Sequence, residues 1–170
     1  MGIYPDGFAQ KPSSAIGRGS EAGFWIVRVL EISVSLVMLL ATLPVMVMLA
    51  LIIRCTSAGP ALFVQQRLGK GARVFSFVKF RTMYVDARQR FPEMYAYSYD
   101  ERTIQTMRFK VEDDPRLTPL GRVLRRTSLD ELPNFWNVLT GHMTLAGPRP
   151  EIPEMLKYYE GIMLEKFSVR

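Results

Sequence analysis

The hydrophobic pattern divides the chain sharply. Residues 1–23 carry Gly2, Pro5, Gly7, Pro12, Ser13, Ser14, Gly17, Gly19 and Gly23 with little apolar periodicity, which predicts a flexible tail. Residues 24–54 are apolar throughout most of their length, and from Ile32 to Ile53 no side chain ionises. As a helix that stretch reaches roughly 33 Å, enough to cross a hydrocarbon core. It is too long for a secretory h-region and lacks a basic n-region in front of it. Pro44 interrupts it near the centre. Proline removes a backbone donor and crowds the carbonyl four residues back, that of Leu40, so a kink or break is expected there. The Thr42 hydroxyl stands beside the break and can satisfy a freed backbone group. Arg28 precedes the run and Arg54 follows it, so charge gives no strong reason to put its two ends on opposite faces. A spanning helix and a helix that enters, bends at Pro44 and returns both remain open.

Residues 55–170 read as one small α+β domain, predominantly helical. Ala61–Gln66 and Val74–Phe80 are short apolar or alternating runs on either side of Leu68-Gly69-Lys70-Gly71, a hairpin pattern. Residues 84–110 read as helical or irregular, with Tyr95, Tyr97 and Tyr99 either on one strand face or in an interfacial cluster. Asp114-Pro115 and Thr118-Pro119 mark turns. Leu120–Arg126, Glu131–Leu139 and Glu151–Phe167 are the helical candidates, and there are no internal repeats.

Charge sharpens the picture. Between Arg54 and Arg90 eight basic side chains (Arg54, Arg67, Lys70, Arg73, Lys79, Arg81, Arg88 and Arg90) face Asp86 alone, whereas the segments on either side nearly cancel. The basic excess sits directly behind the apolar run, where it favours anionic headgroups and phosphorylated ligands. Cys55 is the sole cysteine and His142 the sole histidine. An intrachain disulfide, a cysteine-based zinc site and a multi-histidine metal site are therefore excluded.

Three segments carry candidate chemistry. In Ser128-Leu129-Asp130-Glu131-Leu132-Pro133 the plain reading is a helix start, with Ser128 and Glu131 as a capping box or Asp130 as the cap and Pro133 in the first turn. The same geometry has a chemical reading. A helix N-terminus favours ionised Asp130 and an adjacent phosphate. An ionised carboxylate can attack phosphorus, and Asp130 with Glu131 can hold a hard divalent ion such as Mg²⁺. In Gly147-Pro148-Arg149-Pro150 two prolines fix the backbone around one arginine, either as a rigid turn or as a guanidinium held for bidentate phosphate contact. In Lys79-Phe80-Arg81-Thr82-Met83, Lys79 and Arg81 would share one strand face as a solvated edge or as a phosphate clamp. Arg116, Arg122, Arg125 and Arg126 precede Asp130 and raise the local positive potential.

Taken together, Lys79–Met83, Asp114-Pro115-Arg116-Leu117-Thr118 with Gly121 and Leu124-Arg125, and SLDELPNFWNVLTGHMTLAGPRPE from Ser128 to Glu151 resemble the bacterial sugar transferase family. Its members are small monotopic polyprenyl-phosphate phosphoglycosyl transferases, and the resemblance runs from about Phe24 to the last residue. It implies a re-entrant membrane helix broken at Pro44 and a cytoplasmic catalytic domain at the bacterial inner membrane. It also implies that Asp130 attacks a UDP-sugar, releasing UMP and leaving a phosphosugar on the enzyme. Polyprenyl (undecaprenyl) phosphate would then accept that group, starting exopolysaccharide, O-antigen or glycoprotein glycan synthesis. Glu131 would partner Asp130 and Mg²⁺. Arg149 would bind phosphate, supported by Lys79, Arg81, Arg125 and Arg116.

The chain departs from the family pattern in three places. Glu31 stands where an aspartate is usual three residues after Arg28, which still permits an ion pair. Leu43 stands where a serine commonly precedes the helix-breaking proline, leaving Thr42 to supply a hydroxyl. The family usually continues beyond Phe167-Ser168-Val169-Arg170, so an incomplete C-terminus is expected. An inactive truncated homologue that binds lipid or a partner at the membrane is the second reading. A nucleic-acid binder rests on the basic cluster alone, and no nucleic-acid partner is expected.

Overall fold

The computed structural model describes residues 21–69, 73–95 and 114–154. The tail expected over residues 1–23 lies outside these except for its last three residues, which already belong to a helix. That helix, α1, runs Glu21–Thr56 through Pro44 without ending there. The Thr42 hydroxyl donates to the Met38 carbonyl at 2.6 Å rather than to that of Leu40. Such bonding to the carbonyl four residues back tends to bend a helix without terminating it. An 18-residue window of α1 has mean hydropathy 2.9 and is only 11% buried, so α1 is not the core helix of a globular protein. It is long and apolar enough to cross a membrane.

Two antiparallel strands follow, β1 (Leu62–Leu68) and β2 (Val74–Phe80), paired from Leu62 opposite Phe80 to Leu68 opposite Val74. The expected hairpin is present, its first strand shifted one residue at the start and two at the end. A short helix α2 (Ala87–Arg90) and a 3₁₀ turn (Pro92–Tyr95) occupy the region that read as helical or irregular. Tyr97 and Tyr99 lie outside the described residues.

Helix α3 spans Pro119–Thr127. Thr118 caps it, its hydroxyl accepting from the Gly121 N–H at 2.9 Å, and Pro119 takes the first position where no donor is needed. Ser128 ends it in the left-handed region at φ 58. The single helix expected over Glu131–Leu139 is instead a 3₁₀ turn, Leu129–Glu131, followed by α4 (Asn134–Leu139). Pro133 has no N–H to give the Leu129 carbonyl, which accepts from Leu132 instead, so the first turn cannot continue as an α-helix. The capping box does not form: Ser128 makes no side-chain cap bond, and Asp130 sits inside the turn rather than capping α4. Glu151, the expected start of a third helix, is extended and bridges Leu68; residues 155–167 of that helix lie outside the described part.

The core sits where α1 meets the domain. Leu49 and Ile53 of α1 pack on Phe80 of β2 and Leu124 of α3, with Leu120, Leu129 and Leu132 around them. Each such side chain contributes roughly 1.5–3 kcal/mol on burial. The other end of α1 is held by polar contacts. Arg28 donates to the Val138 and Leu139 carbonyls at 2.9 and 3.1 Å and pairs with Glu31 at 3.4 Å. Glu31 in turn accepts from the Leu145 N–H at 3.2 Å. The buried Asn137 amide of α4 covers the edge of β2, donating to the Ser76 carbonyl and accepting from the Val78 N–H.

Candidate functional site

Lys79 lies one residue from the end of β2, directly opposite Phe63, with its ammonium 5.6 Å above the Phe63 ring. Burial lowers its pKa to about 8; the neighbouring Arg125 acts in the same direction, and Asp130 partly opposes them. Asp130 is held in the 3₁₀ turn with only 4% of its surface exposed. That turn is fixed from both sides, by the left-handed Ser128 before it and the Pro133 restriction after it.

Arg125 comes from the last turn of α3. Burial and the nearby Arg149 act to lower its pKa, Asp114 and Asp130 to raise it, and the guanidinium stays charged. Arg149 arrives on the segment after α4 and meets Glu131 at 2.9 Å. Its backbone is tethered at the next two residues: Arg67 donates to the Pro150 carbonyl at 3.0 Å, and the Leu68 N–H donates to the Glu151 carbonyl at 2.7 Å. The segment thus joins the free edge of β1 as a single bridge, which places Arg149 over the sheet face that bears Lys79.

These side chains surround one solvent-open cavity of about 110 Å³, lined by Arg67, Lys79, Arg125, Asp130, Glu131, Arg149, Pro150 and Glu151. That volume accommodates several waters or a phosphate-sized group. Four cations around a buried carboxylate favour an anionic ligand and can neutralise charge on phosphate oxygens. Among the described residues no group of three or more His, Cys, Asp or Glu side chains is placed to hold a metal ion. Three carboxylates line the cavity, Asp130, Glu131 and Glu151, and the first two are adjacent in the chain. That pair fits an ion completed by substrate phosphates and water, the usual habit of Mg²⁺, and does not fit an all-protein cage.

Of the residues singled out in the sequence, the pocket brings together Lys79, Arg125, Asp130, Glu131 and Arg149. Arg81 is elsewhere. β2 ends at Phe80, and the buried Arg81 guanidinium binds the Ser57 carbonyl and hydroxyl and the Ala58 carbonyl at the end of α1. Arg116 is also outside the pocket, bonded to Asp114 and lying 5.1 Å from the Tyr95 ring centre. Pro44 is remote from it in α1. Arg67 and Glu151 line the pocket without having been singled out as site residues. The signal for Arg67 lay in the hairpin register: opposite Phe75, it shares the sheet face of Phe77 and Lys79.

The sequence model of the family described as bacterial sugar transferase matches residues 22–170. The chain is 41% identical over 112 residues to a galactosyl transferase of Streptococcus agalactiae, covering 66% of this chain and 24% of that protein. It is 41% identical over 127 residues to an undecaprenyl-phosphate glucose phosphotransferase of Komagataeibacter xylinus, covering 75% of this chain and 21% of the relative. With an undecaprenyl-phosphate galactose phosphotransferase of Salmonella typhimurium it shares 37% identity over 132 residues, covering 78% and 28%. The chain therefore spans about a quarter of the length of these curated relatives.

Proposed function

The chain belongs to the bacterial sugar transferase family, and from that membership and the pocket around Asp130 we propose that it transfers a phosphosugar from a UDP-sugar to polyprenyl phosphate. The observation that carries this reading is the convergence of a buried Asp130 with Lys79, Arg125 and Arg149, supplied by three separate segments, in one cavity. In the first step an Asp130 carboxylate oxygen attacks the sugar-bearing phosphorus. The bond from that phosphorus to the bridging oxygen breaks, UMP leaves with the electron pair, and an aspartyl-phosphosugar remains. In the second step a phosphate oxygen of the polyprenyl phosphate attacks the same phosphorus and returns the Asp130 carboxylate. Neither step requires proton removal, which agrees with a pocket that has no histidine in its lining.

Arg149 presents its guanidinium at the rim, where the fork has donors to spare beyond the Glu131 bond and can take phosphate oxygens. Lys79 and Arg125 flank Asp130 and hold the diphosphate in line. Asp130 and Glu131 would hold Mg²⁺ together with donor phosphate oxygens, and the ion would supply further charge neutralisation. The acceptor's lipid tail calls for a site beside the bilayer, and α1 supports that placement.

For α1 we favour the re-entrant arrangement over a spanning one. Arg28 and Ile53 both contact the domain, yet on a straight helix they would stand about 37 Å apart. On the domain side the two contacts are separated by much less: Val138 adjoins Asn137, Asn137 bonds β2 at Val78, and Phe80 is two residues on. A bend at Pro44, with both ends on the cytoplasmic face of the inner membrane, reconciles these contacts. The basic residues after α1 favour the same side.

The reaction is tested by incubating the chain with UDP-glucose and UDP-galactose, with and without undecaprenyl phosphate, and measuring UMP. Asp130→Asn is expected to lower UMP release by about a thousandfold or more, and donor labelled in the sugar phosphate to mark Asp130 when acceptor is absent. UMP release by Asp130→Asn equal to that of the native chain would remove Asp130 from the chemistry.

A further inference from the structure

Asp114 lies outside the cavity, at the head of the loop that leads into α3, and its side chain is 1% exposed. Both of its oxygens are engaged. Oδ1 accepts from the Arg116 backbone N–H at 3.0 Å and from Arg116 Nε at 2.9 Å. Oδ2 accepts from Arg116 Nη2 at 2.8 Å and faces Arg125 Nη1 at 3.5 Å. The two guanidinium groups lead in different directions. That of Arg116 turns toward Tyr95 and the Met94 carbonyl, away from the pocket. That of Arg125 lines the pocket with Lys79, Asp130 and Arg149.

Arg125 stands in an unfavourable place for a long, flexible cation. Its neighbours in the cavity include Lys79 and Arg149, and like charges at close range would drive it toward solvent. Its side chain is nevertheless only 17% exposed. Asp130 attracts it from the front, but Asp130 is the group whose charge is consumed when a covalent bond to phosphorus forms. A second carboxylate behind Arg125 keeps a counter-charge in place throughout. Asp114 is itself immobilised by the three bonds from Arg116, so the position it imposes on Arg125 is a rigid one.

We propose that Asp114 is a positioning residue that holds the Arg125 guanidinium inside the pocket, in the path of the donor's diphosphate. It touches no substrate and acts through Arg125. The proposal rests on the transferase reading for its ligand, a uridine diphosphate group, but its test does not need turnover.

The probe is UDP, whose dissociation constant is measured by calorimetry for the native chain, Asp114→Asn, Arg125→Gln and the double variant. Asp114→Asn is expected to weaken UDP binding about tenfold in the native background and less than twofold when Arg125 is already glutamine. A purely structural role for Asp114 would give the same loss in both backgrounds, and that result overturns the proposal. Arg116→Gln serves as the second control: if it alone reproduces the whole loss while Arg125→Gln produces none, Asp114 acts through Arg116 and the proposal fails. Should Asp114→Asn show no cooperative melt, Asp114→Glu, which keeps the charge but displaces it by one methylene, takes its place in the same cycle with the same criteria. Absence of UMP release from a chain that still shows the coupled UDP loss would sink the reaction and leave the positioning role standing.

Discussion

Lys79 ties the electrostatics of the pocket to a measurable pH dependence. Its pKa is lowered to about 8, chiefly by burial and next by Arg125. In the unfolded chain the same group titrates near 10.5. Between those values the unfolded state binds more protons than the folded one, so the lysine's contribution makes stability rise with pH across that window. Phosphate capture in the role proposed for Lys79 would run the other way, because the ammonium is lost as pH climbs past about 8. The donor KM of UMP release is therefore expected to rise above pH 8, and Lys79→Arg, which stays charged, to remove that rise. A donor KM unchanged from pH 7 to 9.5 in the native chain would contradict this role. Most of the pocket lining was legible beforehand: a carboxylate pair, an arginine between two prolines and a lysine on a strand. The destinations of Arg81 and Arg116 were not. A long side chain goes to whichever acceptors the fold brings near, here the carbonyls ending α1 and the Asp114 carboxylate.

Among the elements, α3 depends on one close approach. A methyl group at Gly121 would meet the Thr82 carbonyl oxygen at 1.9 Å, so α3 could not keep its distance from the segment after β2. Gly121→Ala is expected to cost about 3 kcal/mol or more in chemical denaturation, with UMP release lost in parallel because α3 carries Arg125. The N-terminal half of α1 depends on a charge pair. Removing Arg28 would leave Glu31 buried without its cation and take one donor from the Val138 and Leu139 carbonyls at the end of α4. Arg28→Ala is expected to destabilise by about 3 kcal/mol, read from melts in detergent, and a change below about 0.5 kcal/mol would show that the pair is dispensable. An unbroken apolar run found α1, and short apolar or alternating runs between turn residues found the hairpin and α3. Such patterns missed the 3₁₀ turn carrying Asp130, since a short turn between two helices has no rhythm of its own and its form follows from Ser128 and Pro133.

For the whole molecule, the two-ended attachment of α1 makes a topological prediction. Cys55, exposed and the sole cysteine, marks the C-terminal end of the helix. Trp25→Cys in a Cys55→Ser background marks the other. In intact cells both are expected to resist a membrane-impermeant maleimide from the outer face and to react after the cytoplasmic side is opened. Labelling of the residue 25 site alone from outside would establish a spanning helix. By itself the sequence determined that an apolar helix precedes a small mixed domain and singled out Asp130, Glu131, Arg149, Lys79 and Arg125 as candidates, because composition and motif order are local properties. Only the tertiary structure decided that Pro150 and Glu151, just after Arg149, are tied to the edge of β1 through Arg67 and Leu68, that Arg81 serves α1 instead of the pocket, and that Asp114 stands behind Arg125. Those assignments depend on contacts between segments tens of residues apart, and burial, register and like-charge crowding settle them only once the segments are packed.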